Sequence, residues 1–402
     1  MELKKYKLGD IAKIEISGVD KKSVDGETPV RLCNFVDVYR NWAITQKLSE
    51  NFMIASAKET EIAKCSIHKG QVAITKDSET RDDIGIPAYI ADDFDNVLLG
   101  YHCALITPND DVLDGKYLNA FMHTRYIQKY FENNASGSGQ RYTLSNETIF
   151  QIPILLPSLE VQKAIGNLLS NIDRKIELNR QINDNLEKMA KQLYDYWFVQ
   201  FDFPNENGRP YKSSGGAMVW NEKLKREIPK EWDNCTLEYY LIIKNGRDHK
   251  HLGNGIYPVY GSGGEIRKVD SFIYSGESIL MPRKGSLNNI MYVNDAFWSV
   301  DTMFYSEMKQ PHCAKYVFYS IKDIDFTRWD SGTGVPSMTS STLYSILLVK
   351  PDADSLAKFD EIITPLFLMI KKNEMQIVEL TKQRDDLLPL LMNGQASVNY
   401  HL

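Results

Sequence analysis

The chain has 402 residues, enough for about two or three domains. Its hydrophobic share of 43% and charged share of 25% are those of an ordinary globular protein. No apolar run is long enough to span a bilayer, and the opening Met-Glu-Leu-Lys-Lys-Tyr has no signal-peptide core, so the expectation is a cytoplasmic protein without a membrane partner. Cys33, Cys65, Cys103, Cys235 and Cys313 are scattered and form no Cys-x-x-Cys, which fits a reducing compartment and argues against a zinc ribbon. The net charge of −6 counts against a wholly basic nucleic-acid binder, yet binding needs only a local basic surface.

Taken in order, residues 1–157 read as a strand-rich mixed α/β domain. Lys69-Gly70 turns into an alternating strand over residues 71–76, and Asp77 to Asp83 is a polar loop. A helix is predicted over residues 115–132, with Tyr117, Leu118, Phe121, Met122 and Tyr126 on one side. Ser136 to Ser145 is a flexible polar loop, and Ile152 to Pro157 is a strand that leads into a long helix.

That helix, expected within residues 158–200, carries Ile165, Leu169, Ile172, Ile176, Leu186, Ala190, Leu193 and Trp197 at alternating three- and four-residue steps, the seam of a coiled coil. A second seam runs through Phe359, Ile363, Leu366, Ile370, Ile377, Leu380, Leu387 and Leu391. The two superimpose with a constant shift of 194 residues (359 − 165, 370 − 176, 387 − 193), and the polar interruptions Asn179 and Asn373 repeat at the same shift. An Asn in an apolar seam costs stability but fixes register and partner. Each helix would span roughly 50–60 Å, and Pro365 predicts a kink or a restart in the second. Two equal helices far apart in sequence are expected to pair antiparallel.

Between the helices, residues 201–231 are punctuated by Gly, Pro, Ser and Asn and read as a linker. Residues 232–351 then repeat the first domain. Gly276 to Asn288 matches Gly70 to Arg81 as glycine, strand and basic polar loop. Lys315-Tyr-Val echoes Lys116-Tyr-Leu, and Ser331-Gly-Thr-Gly334 echoes Ser136-Gly-Ser-Gly139. Residues 352–402 form the second long helix and a tail. The fold class expected is α+β: two tandem recognition modules, each mixed α/β, joined by two long helices in an antiparallel coiled coil, with an internal pseudo-twofold repeat.

In this order, four features resemble the specificity subunit of type I restriction–modification systems. They are the domain–helix–domain–helix plan, Asn207-Gly-Arg-Pro-Tyr-Lys-Ser-Ser-Gly-Gly-Ala-Met with Glu227-Ile-Pro-Lys-Glu-Trp232 after it, Leu156-Pro-Ser-Leu-Glu-Val-Gln-Lys-Ala-Ile opening the first helix, and Glu379 to Gly394 closing the second. The resemblance implies two target recognition domains, each reading half of a split double-stranded DNA site. It implies helices that set the spacer and dock two methyltransferase subunits, with motor–nuclease (restriction) subunits joining for cleavage. It also implies a chain with no catalysis and no cofactor of its own, S-adenosylmethionine, ATP and Mg2+ being used by the partner subunits.

The residues agree with a non-catalytic chain. No Asn-Pro or Pro-Pro pair is present for an adenine methyltransferase's base pocket, and no Gly-x-x-x-x-Gly-Lys-Ser/Thr for a motor ATP site. Gly261 to Gly264 reads as a turn, and His249 and His251 as solvated loop residues rather than a metal pair, so no metal site is expected. Clustered carboxylates for a stand-alone nuclease are lacking. A two-headed protein-interaction scaffold is the alternative of a different class, separable by salt-dependent DNA binding.

DNA contacts are expected from loop donors, because Arg and Lys suit guanine and Asn and Gln suit adenine. In the first domain the candidates are Lys76, Ser78, Arg81, Gln140, Arg141 and Tyr142; in the second, Ser262, Arg283, Lys284, Ser286, Asn288 and Thr333. Most such contacts would go to phosphate. Residues 232–351 hold twelve Lys+Arg and twelve Asp+Glu, so any basic face there is local. Beside the seams, Leu168, Leu178, Ile182, Met189, Ile362, Phe367, Leu368 and Met369 make faces wider than one helix pair can bury, which predicts further protein cover.

Overall fold

A computed structural model of the chain describes residues 3–137, 141–329 and 336–398. It divides into unit 1, residues 1–180 with 374–402, and unit 2, residues 181–373. Each unit therefore joins one globular domain to part of both long helices.

In unit 1 a five-stranded sheet runs Ala12–Ile16, Cys103–Pro108, Val72–Thr75, Pro87–Ile90, Ala43–Ile44, antiparallel except for the last pair. Val72–Thr75 is buried throughout rather than on alternate residues. Val72 and Ile74 enter one apolar core and Ala73 another, so this central strand is covered on both faces, which removes the polar half of the expected alternation. A second sheet of Thr28–Cys33, Met53–Ala57 and Val97–Leu99 has its own small core around Val30, Leu32 and Leu98. The helix expected over residues 115–132 is two, Gly115–Met122 and Arg125–Asn134. The first ends at His123, whose ring is stacked 4.0 Å from that of Trp42, and Thr124 caps the start of the second.

In unit 2 the sheet order is Leu241–Asn245, Met303–Met308, Tyr274–Pro282, Met291–Ser299, Asn254–Gly261, Gly264–Val269. Its first four strands, all antiparallel, match the first four of unit 1 in order and direction. Gly261 to Gly264 is the turn of the Asn254–Val269 hairpin. The entry strand of each domain pairs antiparallel with its exit strand: Lys4–Lys7 with Pro153–Leu156, and Asp233–Thr236 with Leu347–Lys350. A tyrosine hydroxyl locks each exit strand, Tyr117 to the Leu155 carbonyl at 2.6 Å and Tyr316 to the Val349 carbonyl at 2.5 Å. The repeat thus extends from the helices into the globular domains. Residues 201–231, read as an irregular linker, include a hairpin of Met218–Asn221 with Arg226–Pro229. Its Ile228, with Phe201, Phe203 and Trp232, is built into the unit 2 core.

The first long helix runs Leu159–Tyr194 and widens into a π-helical turn at Asp195–Val199; the second runs Ala353–Met392. Pro365 does not interrupt the second. It sits exposed between Phe359 and Ile363 on one side and half-buried Leu366 on the other, and this anchoring outweighs the roughly 3 kcal/mol cost of a proline inside a helix. Within unit 1, Ile165 and Leu169 share a core with Leu388 and Leu391. Asp173 pairs with Arg384 at 3.4 Å, and the Asn179 amide donates to Gln376 at 3.3 Å. Within unit 2, Asn183 meets Asn373 at 2.8 Å and the Ile370 carbonyl at 3.3 Å, and Ala190 shares a core with Leu356 and Phe359. Numbers rise on one helix as they fall on the other, so the segments pack antiparallel in each unit.

Of the seam residues, Ile165, Leu169, Ile172, Ile176, Leu186, Phe359 and Ile363 are buried. Leu193, Leu366, Ile370, Ile377, Leu380 and Leu387 are half-buried. The register gives each polar interruption its own partner. The polar partner of Asn373 is Asn183, itself buried, and half-buried Asn179 reaches Gln376 instead. Under the 194-residue repeat Asn179 corresponds to Asn373 and Asn183 to Ile377, so the buried Asn–Asn contact belongs to unit 2 alone.

Candidate functional site

In each unit the third sheet strand ends in a polar loop held the same way. In unit 1 the Lys76 N–H donates to the His102 carbonyl at 2.7 Å, and the Leu144 N–H donates to the Lys76 carbonyl at 2.9 Å. In unit 2 the Arg283 N–H donates to the Thr302 carbonyl at 2.8 Å, and the Met338 N–H to the Arg283 carbonyl at 2.9 Å. One backbone clamp, repeated, presents a basic residue at the tip of a buried strand. The side chains around it differ.

In unit 1, Asp77–Ser78, Tyr142–Thr143 and Ser136–Gly137 form a small antiparallel sheet, with Tyr142 opposite Ser78 and Thr143 opposite Asp77. This brings Lys76, Ser78, Arg81, Arg141 and Tyr142 together. Arg81 lies 5.2 Å over the Tyr142 ring, the Ser78 hydroxyl caps the Thr80 N–H, and Arg141 projects beside His102. Beneath Arg141 the Asp77 carboxylate binds the His102 ring and stands 3.9 Å from the guanidinium. Burial pushes the Asp77 pKa up, but the Thr143 hydroxyl, His102 and Arg141 together outweigh it and hold the group below the usual carboxylate range. Gln140 lies outside the described residues.

In unit 2, Arg283, Lys284 and Ser286 are exposed on their loop. Arg283 lies 5.9 Å over the Phe304 ring and Lys284 bridges to Ser337. Ser262 joins them: a β-carbon on Gly285, whose φ is +90°, would come within 3.0 Å of the Ser262 hydroxyl. Asn288 is less available than the sequence suggests. Its carbonyl oxygen accepts the Phe326 N–H at 2.8 Å and its amide donates to Asp325 at 3.3 Å, so both ends hold the Phe326–Trp329 turn. Asn289 likewise pins the Ser262 carbonyl. Thr333 lies outside the described residues. His249, expected to be solvated, is half-buried and accepts a bond from Arg267 at 3.1 Å; His251 is exposed.

Sequence reasoning missed Asp77 and His102. The only signal was an aromatic–histidine pair, Tyr101-His102, directly before an apolar strand. Among the described residues no group of three or more His, Cys, Asp or Glu could hold a metal ion, and no helix is long and apolar enough to cross a membrane.

Residues 1–188 match the family model of the type I restriction modification DNA specificity domain. The chain is 26% identical over 378 residues to the type I restriction enzyme MjaIX specificity subunit of Methanocaldococcus jannaschii, covering 85% of this chain and 81% of that one. The chain is thus similar over most of its length to a specificity subunit of a type I restriction–modification system, and its first 188 residues match that family's DNA specificity domain. A shorter stretch of 141 residues, 35% of this chain and 30% of the relative, is 31% identical to the HindI specificity subunit of Haemophilus influenzae. The fold agrees: the crystal structure of the type I system S subunit from M. genitalium superposes with a TM-score of 0.63 at 16% identity over 97% of this chain and 96% of that one. The Lys76–Arg141 cluster lies within the residues that match the DNA specificity domain.

Proposed function

We propose that the two globular domains, residues 1–157 and 232–351, are target recognition domains that each read one half of a split double-stranded DNA site. The observation that carries this is the repeated backbone clamp at Lys76 and Arg283. A shared scaffold with unlike side chains is what two readers of unlike half-sites require. On this reading Arg81, Arg141, Arg283 and Lys284 supply donors to phosphates and base edges, and few of them specify sequence. Gln140 and Thr333, outside the described residues, are candidates for the same role on their sequence alone.

The long helices are the spacer. Their exposed apolar residues, Leu178, Met375 and Val378 in unit 1 and Ile182, Met189, Ile362, Leu368 and Met369 in unit 2, dock two methyltransferase subunits, with motor–nuclease subunits joining for restriction. Leu168 and Phe367 are already packed against their own cores and add little to those faces. The chain contributes recognition and assembly. S-adenosylmethionine, ATP and Mg2+ serve the partner subunits.

Co-expression of the chain with the methyltransferase encoded beside it, followed by sequencing of methylated adenines in host DNA, tests the reading. A split motif with a fixed gap is expected, and exchange of residues 232–351 should change one half only. Inserting four residues, about one turn, into both helices should lengthen the gap. No complex and no new methylation would favour a protein-interaction scaffold.

A further inference from the structure

In each unit the turn that holds the basic loop after the third sheet strand also holds the loop after the first. In unit 1 the Cys103 carbonyl accepts the Ser17 N–H at 3.1 Å, one residue beyond the His102 carbonyl that accepts Lys76. In unit 2 the Met303 carbonyl accepts the Gly246 N–H at 3.0 Å, one residue beyond the Thr302 carbonyl that accepts Arg283. The first and third strands flank the strand that leaves this turn. Both loops therefore emerge at the same end of the sheet, roughly 10 Å apart, twice the spacing of neighbouring strands.

The loops after the first strands are tied along their backbones. In unit 2 the Arg247 N–H donates to the Ser299 carbonyl at 2.8 Å, and the Arg247 carbonyl accepts the Trp298 Nε1–H at 2.9 Å. The Arg267 guanidinium, on the neighbouring hairpin, donates to the His249 and Leu252 carbonyls at 2.6 and 3.0 Å. In unit 1 the Val19 and Lys22 carbonyls accept the Tyr101 and Ser56 N–H groups at 2.9 and 3.0 Å, and the Ser17 hydroxyl donates to the Leu99 carbonyl at 2.6 Å. Exposed loop carbonyls can bond water, so these ties set a shape rather than merely satisfy the backbone.

That shape presents cations. Arg247, Lys250 and Lys21 are exposed, and among the described residues none of the three forms an ion pair, whereas Lys22 pairs with Asp20 at 3.0 Å. The carboxylates at this end of unit 2 leave Arg247 and Lys250 unpaired. Asp248 accepts the Lys250 backbone N–H at 3.3 Å, Asp270 lies against Gly253, and Glu265 and Asp301 are exposed. A loop already in shape avoids the ordering cost of binding. Arginine and lysine on such a loop suit backbone phosphates, contacts that fix register on a duplex without reading its sequence.

We propose that the loop after the first sheet strand of each recognition domain is a preformed phosphate-contact loop, with Arg247 and Lys250 the contacts in unit 2, Lys21 the contact in unit 1, and Arg267 a positioning residue that shapes the unit 2 loop. The inference rests on the reading of these domains as DNA-binding. The loop after the third strand reaches base edges as well as phosphates; the loop after the first holds the duplex backbone alone.

The test uses the full chain with its methyltransferase and a fluorescein-labelled duplex carrying the motif found by methylation sequencing. Anisotropy titrations at several salt concentrations give the slope of log K against log salt. Arg247→Ala combined with Lys250→Ala should bind more weakly and make the slope shallower by about 2, and Lys21→Ala by about 1, since each phosphate contact contributes about 0.9. Both variants should methylate the wild-type motif. Arg247→Lys combined with Lys250→Arg keeps both charges and should keep the wild-type slope. Arg267→Gln should weaken binding with the slope kept, because the charges remain but the loop must then be ordered on binding; wild-type affinity there would overturn its positioning role. An unchanged slope in the double alanine variant, an equal loss in the charge-preserving pair, or a changed half of the motif would overturn the inference and leave the DNA reading standing. Failure of wild type to bind the duplex at any salt concentration would overturn both.

Discussion

The two units solve the same joint differently. In each, a lysine opens the helix that packs between the sheet and the long helix. In unit 1 Lys116 faces Gly166, where a β-carbon would come within 2.8 Å of the Lys116 Cβ and 2.9 Å of the Tyr117 nitrogen. The close approach leaves no room for a buried ammonium, so Lys116 turns outward and bonds Asn167 at 2.8 Å. At the position equivalent to Gly166 under the 194-residue shift, unit 2 has Asp360. There Lys315 is 3% exposed and bonded to Asp360 and Glu277 at 2.8 Å each. Tyr292 donates to Glu277, and His312 bonds Asp360. A repeat can thus keep its topology while one copy uses close apolar packing and the other a buried ion network.

The strongest way to break this comparison is Lys315→Ala. It would remove the cation shared by Glu277 and Asp360, leaving them only Tyr292 and His312, and a loss of about 3 kcal/mol is expected in chemical denaturation. Lys116→Ala, which removes a half-buried side chain with one side-chain hydrogen bond, should cost no more than about 1 kcal/mol. Equal losses would mean that the two joints are energetically alike. Gly166→Ala should come next, lowering stability by about 2 kcal/mol through overpacking against backbone. A melting temperature unchanged from wild type would show that the helix can move away from Lys116 freely.

The smallest effect sharpens the contrast in pH dependence. In unit 1, burial pushes Asp173 up to about 6, against the opposing pull of Arg384. Burial, helped by Arg384, pushes His123 down to about 3. Arg384 itself lies 4.5 Å over the Trp42 ring that His123 stacks on. A raised carboxyl pKa stabilises the fold below the unfolded value and loses that contribution as pH rises through about 6. A lowered histidine pKa stabilises it above the unfolded value and loses that contribution as pH falls from about 6.5. Between about pH 4 and 6 the two oppose each other. Asp173→Asn should therefore lose stability more steeply than wild type as pH falls through this window, by about 1 kcal/mol per pH unit. Parallel urea-midpoint curves for the two proteins would sink the idea. In unit 2, burial raises the Asp360 pKa, but Lys315 and His312 outweigh it and leave the group lowered, so its contribution is lost only below the ordinary carboxylate range.

Much of the architecture was legible in the chain. A seam repeated over two helices survives because helix periodicity is local and each seam must face something apolar. The core strands and the glycine turn at Gly261 were readable for the same reason. The candidate site was legible only in part. The basic loops after the third strands stood out, but Asn288 looked like a free amide because nothing local shows that Asp325 and Phe326 come to meet it. The histidines were weighed as a metal pair, and His102, whose partners Asp77 and Arg141 lie far off in sequence, carried only the weak signal of its Tyr101 neighbour.

What the sequence by itself determined is the plan: two copies of a strand-rich domain, two long helices, a fixed shift between them, and no motif for methyl transfer or ATP hydrolysis. What only the tertiary structure decided is which residues meet. Asn373 pairs with Asn183 and not Asn179 because an antiparallel register is set by how both helices are clamped at their ends, by Leu169 with Leu388 in unit 1 and Ala190 with Phe359 in unit 2. Asp77, His102 and Arg141 converge because sheet register brings a loop, a turn and a strand together. Periodicity is written along the chain, whereas juxtaposition depends on long-range packing that no local pattern encodes.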